Sequence, residues 1–371
     1  MKVLVTGGAG FIGSHTVDLL LKKGYEVRVL DSLEPPVHPN KKKPDYLPNN
    51  VEFILGDVRN KGDVEKALRG IDYIFHLAAY QGYLIDFSKF AFTNDGGTAL
   101  IYEAIVEKKL PVKKIILGSS QSVYGEGRYR CARHGIRYPS PRSLEQLEKG
   151  DWELKCPICQ QIMQPLHTDE SKVTPYNQYG VSKYCQELYA LTLGKRFGIP
   201  TVVLRYSITQ GPRQSFYNAY SGILRIFATR LLHNLPPIIY EDGKQLRDYV
   251  YVGDVVVANI LAMESETANY EIYNIGGNEI LSVSEYAKLV SRVMGKDVTP
   301  QVPGEFRFGD VRHIISDISK IKKLGWQPRT SIEQIVREYL AWAREQPEAS
   351  DYYAEAEKVM RQEGVLKAVR S

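Results

Sequence analysis

The sequence predicts an α/β fold with a doubly wound parallel sheet, and three features predict it. Short apolar runs rich in β-branched residues alternate with stretches of helical period along residues 2–206. The first run passes straight into a glycine-rich loop, which opens a helix. The chain has 371 residues, enough for a large core and a second packed unit.

Each element has its own reason. Lys2–Thr6 is a short apolar run and reads as a buried strand. Gly7-Gly8-Ala9-Gly10-Phe11-Ile12-Gly13 follows, then residues 14–23, whose Val17, Leu20 and Leu21 recur at helical spacing. Glycines there allow a tight turn and let backbone N–H groups and the helix N-terminus approach a pyrophosphate. The second strand, 26–30, ends at Asp31, eighteen positions after Gly13. A carboxylate there accepts hydrogen bonds from ribose hydroxyls and repels a 2′-phosphate, so the pattern points to NAD over NADP. Residues 51–55 read as a strand closing on Gly56-Asp57-Val58, with Asp57 in reach of an adenine, and 61–69 as a helix. Residues 73–77 read as a strand ending in Leu77 and the small Ala78-Ala79, which let a cofactor lie close. Residues 94–109 read as a helix and 114–118 as a strand. Gly7, Gly10, Phe11, Ile12, Gly13, Asp31, Asp57, Val58, Leu77, Ala78 and Ala79 are the expected cofactor wall of a Rossmann-type sheet, at the carboxyl ends of its strands.

Ser120 falls at another such strand end. Tyr179 and Lys183 stand four residues apart, one helical turn, so the ammonium can share a face with the phenol and lower its pKa. Hydroxyl, phenol and ammonium suffice for alcohol–ketone redox chemistry: the phenol moves the proton, and the serine hydrogen-bonds the reacting oxygen. His76 reads as a strand residue with a satisfied hydrogen bond rather than a catalyst. Tyr80, Gln81, Gly82 and Tyr83 read as pocket lining.

Gly7-x-x-Gly10-x-x-Gly13, Ser120 and Tyr179-x-x-x-Lys183 together resemble the extended short-chain dehydrogenase/reductase superfamily, in particular its NAD-dependent nucleotide-sugar epimerases and dehydratases. Leu204-Arg205-Tyr206, Gly211-Pro212-Arg213-Gln214, Arg247-Asp248-Tyr249 and Arg307-Phe308-Gly309-Asp310 look like further signatures of that group. The resemblance implies that Ser120, Tyr179 and Lys183 are catalytic, that Asn94 orders the cofactor site, and that Tyr179, Lys183 and Tyr206 adjoin NAD. It implies Arg247 and Arg307 on a diphosphate and Asp310 on the nucleotide, and guanidinium forks suit phosphate oxygens. It also implies a homodimer through 94–109 and 182–197. Two departures stand out. Ile208 occupies a position where an asparagine often contacts substrate, which makes Asn218 the alternative contact, and Gln178 replaces the common proline before Tyr179.

Residues after Ser120 sort the reactions. Gln121-Ser122 offers no Asp-Glu pair for 4,6-dehydration, no glutamate for decarboxylation and no cysteine for 3,5-epimerisation. What remains needs redox at one carbon: a nucleoside-diphosphate-sugar 4-epimerase or, alternatively, a 4-ketoreductase or dehydrogenase. In the epimerase Tyr179 takes the proton of the sugar O4, hydride leaves C4 for NAD, and it returns to the other face. Gln81, Ser120, Ser122, Arg213 and Asn218 are the expected contacts to the substrate. The overall pattern also looks like bacterial epimerases with a similar insert, some acting on dTDP-L-rhamnose.

That insert has its own chemistry. Ser120 and Tyr179 are 59 positions apart, more than is usual in the family, and the surplus maps to 128–166. Cys131-x-x-His134 and Cys156-x-x-Cys159 form a tetrahedral Cys₃His set for a structural zinc, with Pro157 in a knuckle-like turn and His167 as a substitute ligand. A Cys156–Cys159 disulfide, or thiols that are simply buried, are the competing readings, and Cys185 is expected in the core. Arg128, Arg130, Arg133, Arg137 and Arg142, with Tyr129 and Tyr138, keep a second class of function in view: an NAD-sensing, nucleic-acid-binding regulator. Intact Tyr179 and Lys183, and the acids Glu145, Glu148, Asp151 and Glu153, weigh against nucleic acid as the partner.

Composition is that of a soluble globular protein. At 43% hydrophobic and 25% charged residues the balance is that of a globular chain rather than a disordered one. A net charge of +5 accommodates an anionic ligand without requiring nucleic acid. No apolar run approaches the ~18 residues of a membrane span, and the N-terminal residues lack a signal-peptide shape, so no membrane partner and a cytoplasmic location are expected. Four cysteines are too few for a disulfide scaffold. The expected organisation is a NAD-binding domain at 1–127, the zinc module at 128–166, and a Rossmann continuation at 167–205. A smaller substrate-binding subdomain at 206–340 follows, with 245–265 returning to the Rossmann part, and then a helical tail at 341–371.

Overall fold

Chain direction alternates strand and helix as the apolar pattern requires. β1 (Lys2–Thr6) leads through the glycine loop into α1 (Phe11–Lys22), β2 (Glu26–Asp31), β3 (Glu52–Leu55), α2 (Lys61–Leu68) and β4 (Tyr73–His76). The expected helix at 94–109 is a composite: α3 (Phe87–Phe90), a π-helical stretch (Ala91–Gly96) and α4 (Gly97–Glu107) run on without a break, and β5 (Lys114–Ser120) follows. The computed structural model describes residues 1–82, 84–218, 222–347, 349–350 and 352–370; Tyr83, Ala219 and Tyr220 lie outside them.

The insert is a small unit of its own. β6 (Tyr129–Cys131) pairs antiparallel with both β7 (Gly135–Arg137) and β8 (Gln164–Pro165), and α5 (Leu144–Glu148) lies between β7 and β8 in the chain. Tyr129, Cys131, Leu154, Cys156 and Met163 form its buried cluster.

The rest returns to the sheet and builds the second unit. It runs α6 (Gln178–Phe197), β9 (Thr201–Tyr206), β10 (Ile208–Gln210), α7 (Ile223–Leu232), β11 (Leu246–Tyr251), α8 (Val252–Glu264) and β12 (Ile272–Ile275). Then come β13 (Ile280–Ser282), α9 (Val283–Val293), β14 (Glu305–Arg307), α10 (Ser319–Lys323), α11 (Ile332–Arg344), α12 (Tyr353–Gln362) and β15 (Leu366–Ala368). The central sheet has the order β12-β9-β5-β4-β1-β2-β3, every neighbour parallel. A parallel sheet is covered on both faces. One face holds Val3, Val5, Val29 and Phe75 against α1 and α8; the other holds Leu4, Leu30, Ile74 and Ile115 among residues of α2 and α4. Each such buried aliphatic or aromatic side chain stabilises the fold by about 1.5–3 kcal/mol.

Two expectations need correction. β12, inside the region read as substrate-binding, is a full strand of the central sheet, because Tyr273 and Ile275 pack with the first core. The stretch 341–371 is not purely helical: β15 pairs with β14 across the second unit.

Candidate active site

Strand order reverses at β1, which has β2 on one side and β4 on the other, and there a crevice opens at the strands' carboxyl ends. It is lined by Gly7, Gly10, Phe11, Ile12, Gly13, Asp31, Asp57, Val58, Leu77, Ala78, Ala79, Gln81, Tyr179, Lys183, Tyr206 and Asn218. The glycines are required by space. A Cβ on Gly13 would come within 2.1 Å of Gly7 O, and one on Gly7, whose φ is +69°, within 2.7 Å of Ala78 N. This backbone-walled cradle at the α1 N-terminus fits a dinucleotide's pyrophosphate.

Asp31 accepts from Ala9 N and Leu33 N, each at 2.9 Å, leaving further lone pairs for ribose hydroxyls. Burial raises its carboxyl above the usual range, against those two amide bonds. Burial would also raise Asp57, but the bonds from Arg59 outweigh it and leave the carboxyl low. Arg59, which also pairs with Glu34 at 2.5 Å, lines the crevice and was not singled out from the sequence. Tyr206 gives its hydroxyl to Asn259 Oδ1 at 2.8 Å.

The reacting end rests on α6. Its N-cap Asn177 accepts from Gly180 N at 2.7 Å, and Gly180 lies so close to the Ser120–Ser122 turn that a Cβ would meet Ser122 O at 2.5 Å. Tyr179 is thereby held beside that turn. Ser120 Oγ accepts from Ser122 N at 3.2 Å, which leaves its own O–H free to donate. Lys183 lies 6.0 Å from the Tyr179 ring centroid, and its Nζ donates to Gly118 O and Gln186 Oε1, each at 2.8 Å. Full burial lowers the Lys183 ammonium to about 7, against nearby Glu187 and Asp95. Gln186 is a positioning partner missed in the sequence, although it stands seven residues after Tyr179 on the same helical face.

Behind the helix, Arg205 forks onto Glu187 at 2.9 and 2.7 Å, and Ser119 Oγ adds a bond to Glu187 at 2.5 Å. Breaking such a buried pair costs about 3–5 kcal/mol, so it fixes the register of α6. His76 bonds Thr6 Oγ1 and Thr98 Oγ1, and burial lowers it to about 3. Asn94, in the π-helical turn, brackets Tyr80 by accepting from its N at 2.7 Å and donating to its O at 3.0 Å.

Several other expected contacts, Asn94, Ser120 and Ser122 among them, are not lining residues of the crevice. Arg213 is not among its lining residues: it pairs with Asp18 at 2.7 Å and covers the Tyr46 ring. Ile208, a β10 residue, packs against the buried cluster of the second unit around Phe227, Tyr249 and Tyr286, while Asn218 lines the crevice with a buried Oδ1 that has no partner among the described residues. Ser122 Oγ is likewise buried without a partner among the described residues. Arg247, Arg307 and Asp310 gather around the segment 305–313. Arg247 donates to Leu246 O, Val311 O and Arg312 O, and Arg307 Nε to Asp310 Oδ2 at 2.8 Å. Tyr176, three residues before Tyr179, ties that segment to α6 through Gly309 O at 2.7 Å.

In the insert, Cys131, His134, Cys156 and Cys159 present ligand atoms that all lie within 4.8 Å of one another. Cys131 Sγ is 3.5 Å from His134 Nδ1 and 3.6 Å from Cys159 Sγ, and Cys156 Sγ is 3.5 Å from His134 Nδ1. Those are about the edges of a tetrahedron around an ion at zinc–sulfur and zinc–nitrogen bond lengths. All four cysteines are free thiols, and Cys185, expected in the core, is only half-buried. Arg142 also differs from expectation: it is buried against Glu241, so it does not contribute to a basic surface.

A glycine cradle, a ribose-side carboxylate and a Tyr–Lys pair one turn apart define a site of the short-chain dehydrogenase/reductase type. Residues 3–143 match the NAD dependent epimerase/dehydratase family, and 161–339 match GDP-mannose 4,6 dehydratase, so residues 144–160 fall between the two matches. The chain is 34% identical over 349 residues to dTDP-L-rhamnose 4-epimerase of Burkholderia thailandensis, covering 92% of this chain and 94% of that one. It superposes on UDP-glucose 4-epimerase of Thermotoga maritima with UDP-glucose at a TM-score of 0.76 and 33% identity, over 93% and 99% of the chains. UDP-glucuronic acid 4-epimerase of Bacillus cereus in complex with NAD gives 0.74 and 28%, over 92% and 98%. The chain belongs to the NAD-dependent epimerase/dehydratase family.

Proposed function

We propose that this chain is an NAD-dependent nucleoside-diphosphate-sugar 4-epimerase. One observation carries the reading: Tyr179 and Lys183 line the crevice, the Ser120–Ser122 turn packs against the start of their helix at Gly180, and the acids among the described lining residues are Asp31, Glu34 and Asp57. Among the described lining residues those three are the carboxylates and none is a cysteine, which suits proton transfer at one oxygen and redox at a single carbon.

Bound NAD supplies the hydride acceptor, and on return the donor. Tyr179 holds the proton exchanged with the sugar hydroxyl, and the Lys183 ammonium steadies its phenolate. Gly118 O and Gln186 Oε1 fix that ammonium. Ser120 donates to the same sugar oxygen, with its rotamer fixed by Ser122 N. Gln81, Ser122 and Asn218 are the polar groups offered to the sugar, and Arg247, Arg307 and Asp310 those offered to the nucleoside diphosphate. The Burkholderia relative supports a dTDP-L-rhamnose-type substrate.

The same reading places a structural zinc on Cys131, His134, Cys156 and Cys159, supported by their mutual spacing. It makes the chain a homodimer through α4 and α6, supported by exposed Val181, Leu188 and Tyr189 on α6. It places the chain in the cytoplasm, where free thiols persist. Among the described residues no helix is long and apolar enough to cross a membrane.

The test is incubation of NAD-loaded protein with dTDP-L-rhamnose, UDP-glucose and UDP-glucuronic acid, without added reductant. Interconversion of 4-epimers, with no net NADH, is expected for one of them. Steady net NADH formation or consumption would replace the epimerase with a dehydrogenase or ketoreductase.

A further inference from the structure

The insert touches the second unit through side chains that no solvent-exposed loop would bury. Arg142 Nη1 donates to Glu241 Oε2 at 2.9 Å, and Nη2 donates to the backbone oxygen of Asp310 at 2.9 Å. Its side chain is only 1% exposed. Glu153 accepts from Arg312 Nη2 at 2.6 Å, and its other oxygen lies 3.2 Å from His313 Nε2. Arg312, itself fully buried, gives its backbone N–H to Glu126 Oε2 at 2.8 Å, just past the Ser120–Gly125 turn. The insert therefore grips 310–313, the segment that follows Arg307, and does so from a loop whose two ends are the chelating pairs: His134 precedes Arg142, and Cys156 follows Glu153.

Surface ion pairs add little, but buried, multiply bonded ones fix geometry and are costly to break on one side. A metal closing the loop at both ends also removes conformations in which Arg142 and Glu153 swing away.

We propose that Arg142 and Glu153 are positioning residues for the substrate's nucleotide, and that a metal on Cys131, His134, Cys156 and Cys159 maintains their grip on 310–313. The proposal rests on the epimerase reading above, in which Arg307 and Asp310 meet the nucleoside diphosphate. Neither Arg142, Glu153 nor any residue of 310–313 lines the crevice, so the grip should affect nucleotide binding more than NAD binding.

The test uses NAD-loaded full-length protein with dTDP and UDP as probes in calorimetry, beside kinetics with whichever sugar nucleotide turns over. Arg142→Met is expected to raise the nucleotide Kd and the KM at least about tenfold, with kcat within about threefold and NAD still at one per chain. Arg142→Lys should recover part of that loss, since it keeps the charge but not the fork. Glu153→Gln and Cys159→Ser should weaken nucleotide binding in the same direction. Adding Cys159→Ser to Arg142→Met should cost less than the product of the two single effects, because both act on one grip. Chelator treatment should mimic Cys159→Ser, and added zinc should reverse it.

A nucleotide Kd within about twofold of wild type in Arg142→Met, or NAD affinity falling in proportion, would overturn the positioning role. Independent, multiplicative effects of the Arg142 and Cys159 changes would overturn the metal link. Should Arg142→Met not fold, Arg142→Lys and Glu153→Gln decide in its place by the same comparison. If wild-type protein binds neither nucleotide, the epimerase reading itself fails and the inference falls with it; if wild type binds, the variants alone judge the inference.

Discussion

Lys183 reaches across to the strand that carries Ser120: its Nζ donates to Gly118 O at 2.8 Å from a fully buried position one helical turn past Tyr179. Burial lowers the ammonium to about 7, whereas an unfolded lysine titrates near 10.5. Between those values the unfolded chain binds the extra proton, so this group's penalty on folding is full below about pH 7 and fades as pH rises toward 10.5. Lys183→Met removes the penalty and also strips Gly118 O and Gln186 Oε1 of a donor, a cost that does not depend on pH. Wild type should therefore gain stability relative to the variant, by an amount on the order of a few kcal/mol, between pH 7 and pH 10. Urea unfolding of both proteins at the two pH values measures it, and a constant difference would refute the depressed ammonium.

Tyr179→Phe keeps the ring beside Lys183 and removes only the proton carrier. Turnover should fall by at least about a thousandfold, while NAD content stays at the wild-type level. Retention of most activity would move the proton to another group.

Gly180→Ala places a methyl where Ser122 O already sits, 2.5 Å away. The start of α6 must then shift against the Ser120–Ser122 turn. We expect kcat to drop by about ten- to a hundredfold with little change in NAD binding, since misplacement of reacting groups by ~1 Å is costly. Steady-state kinetics and cofactor content on one preparation check both halves, and an unchanged kcat would mean the turn is free to follow.

Much of this was readable in the chain because its signals are local. β1, the glycine loop and Asp31 lie within one βαβ unit, and Tyr179 and Lys183 share one helix, so period and spacing sufficed. The π-helical turn at Ala91–Gly96 was not legible: its shifted hydrogen bonds leave no mark in residue type, although Asn94 was found by resemblance. Arg142 looked like part of a solvated basic face because its partner Glu241 is 99 positions away. The pairing of Arg213 with Asp18 in α1 was hidden in the same way, by a separation of 195 positions. Side chains that join distant segments become visible only when the fold brings them together.

Asp31→Ser should relax cofactor choice. The carboxylate held by Ala9 N and Leu33 N repels a 2′-phosphate, and serine keeps a hydrogen-bonding group without that charge. Kd values for NAD and NADP are expected to favour NAD by at least about tenfold in wild type, and to converge in the variant mainly through weaker NAD binding. Comparable wild-type affinities for the two would remove Asp31 from the discriminating role.

Metal content tests the insert directly. Three thiols and one imidazole, all within 4.8 Å of one another and with three separations of 3.5–3.6 Å, would leave a bound ion no open position and give it a structural role. Protein purified without a metal-affinity tag should hold about one zinc per chain. Cys185, half-buried on α6 and outside the cluster, should react first with a thiol reagent. Cys131, Cys156 and Cys159 should follow only after a chelator removes the ion, because a zinc-bound thiolate is a poor nucleophile. Far-UV circular dichroism should change little on chelation, since the seven-stranded sheet and its two covering cores contain none of the four ligands. Zinc-free protein as purified, or a mass two hydrogens short from a Cys156–Cys159 disulfide, would show that the cluster does not hold a metal.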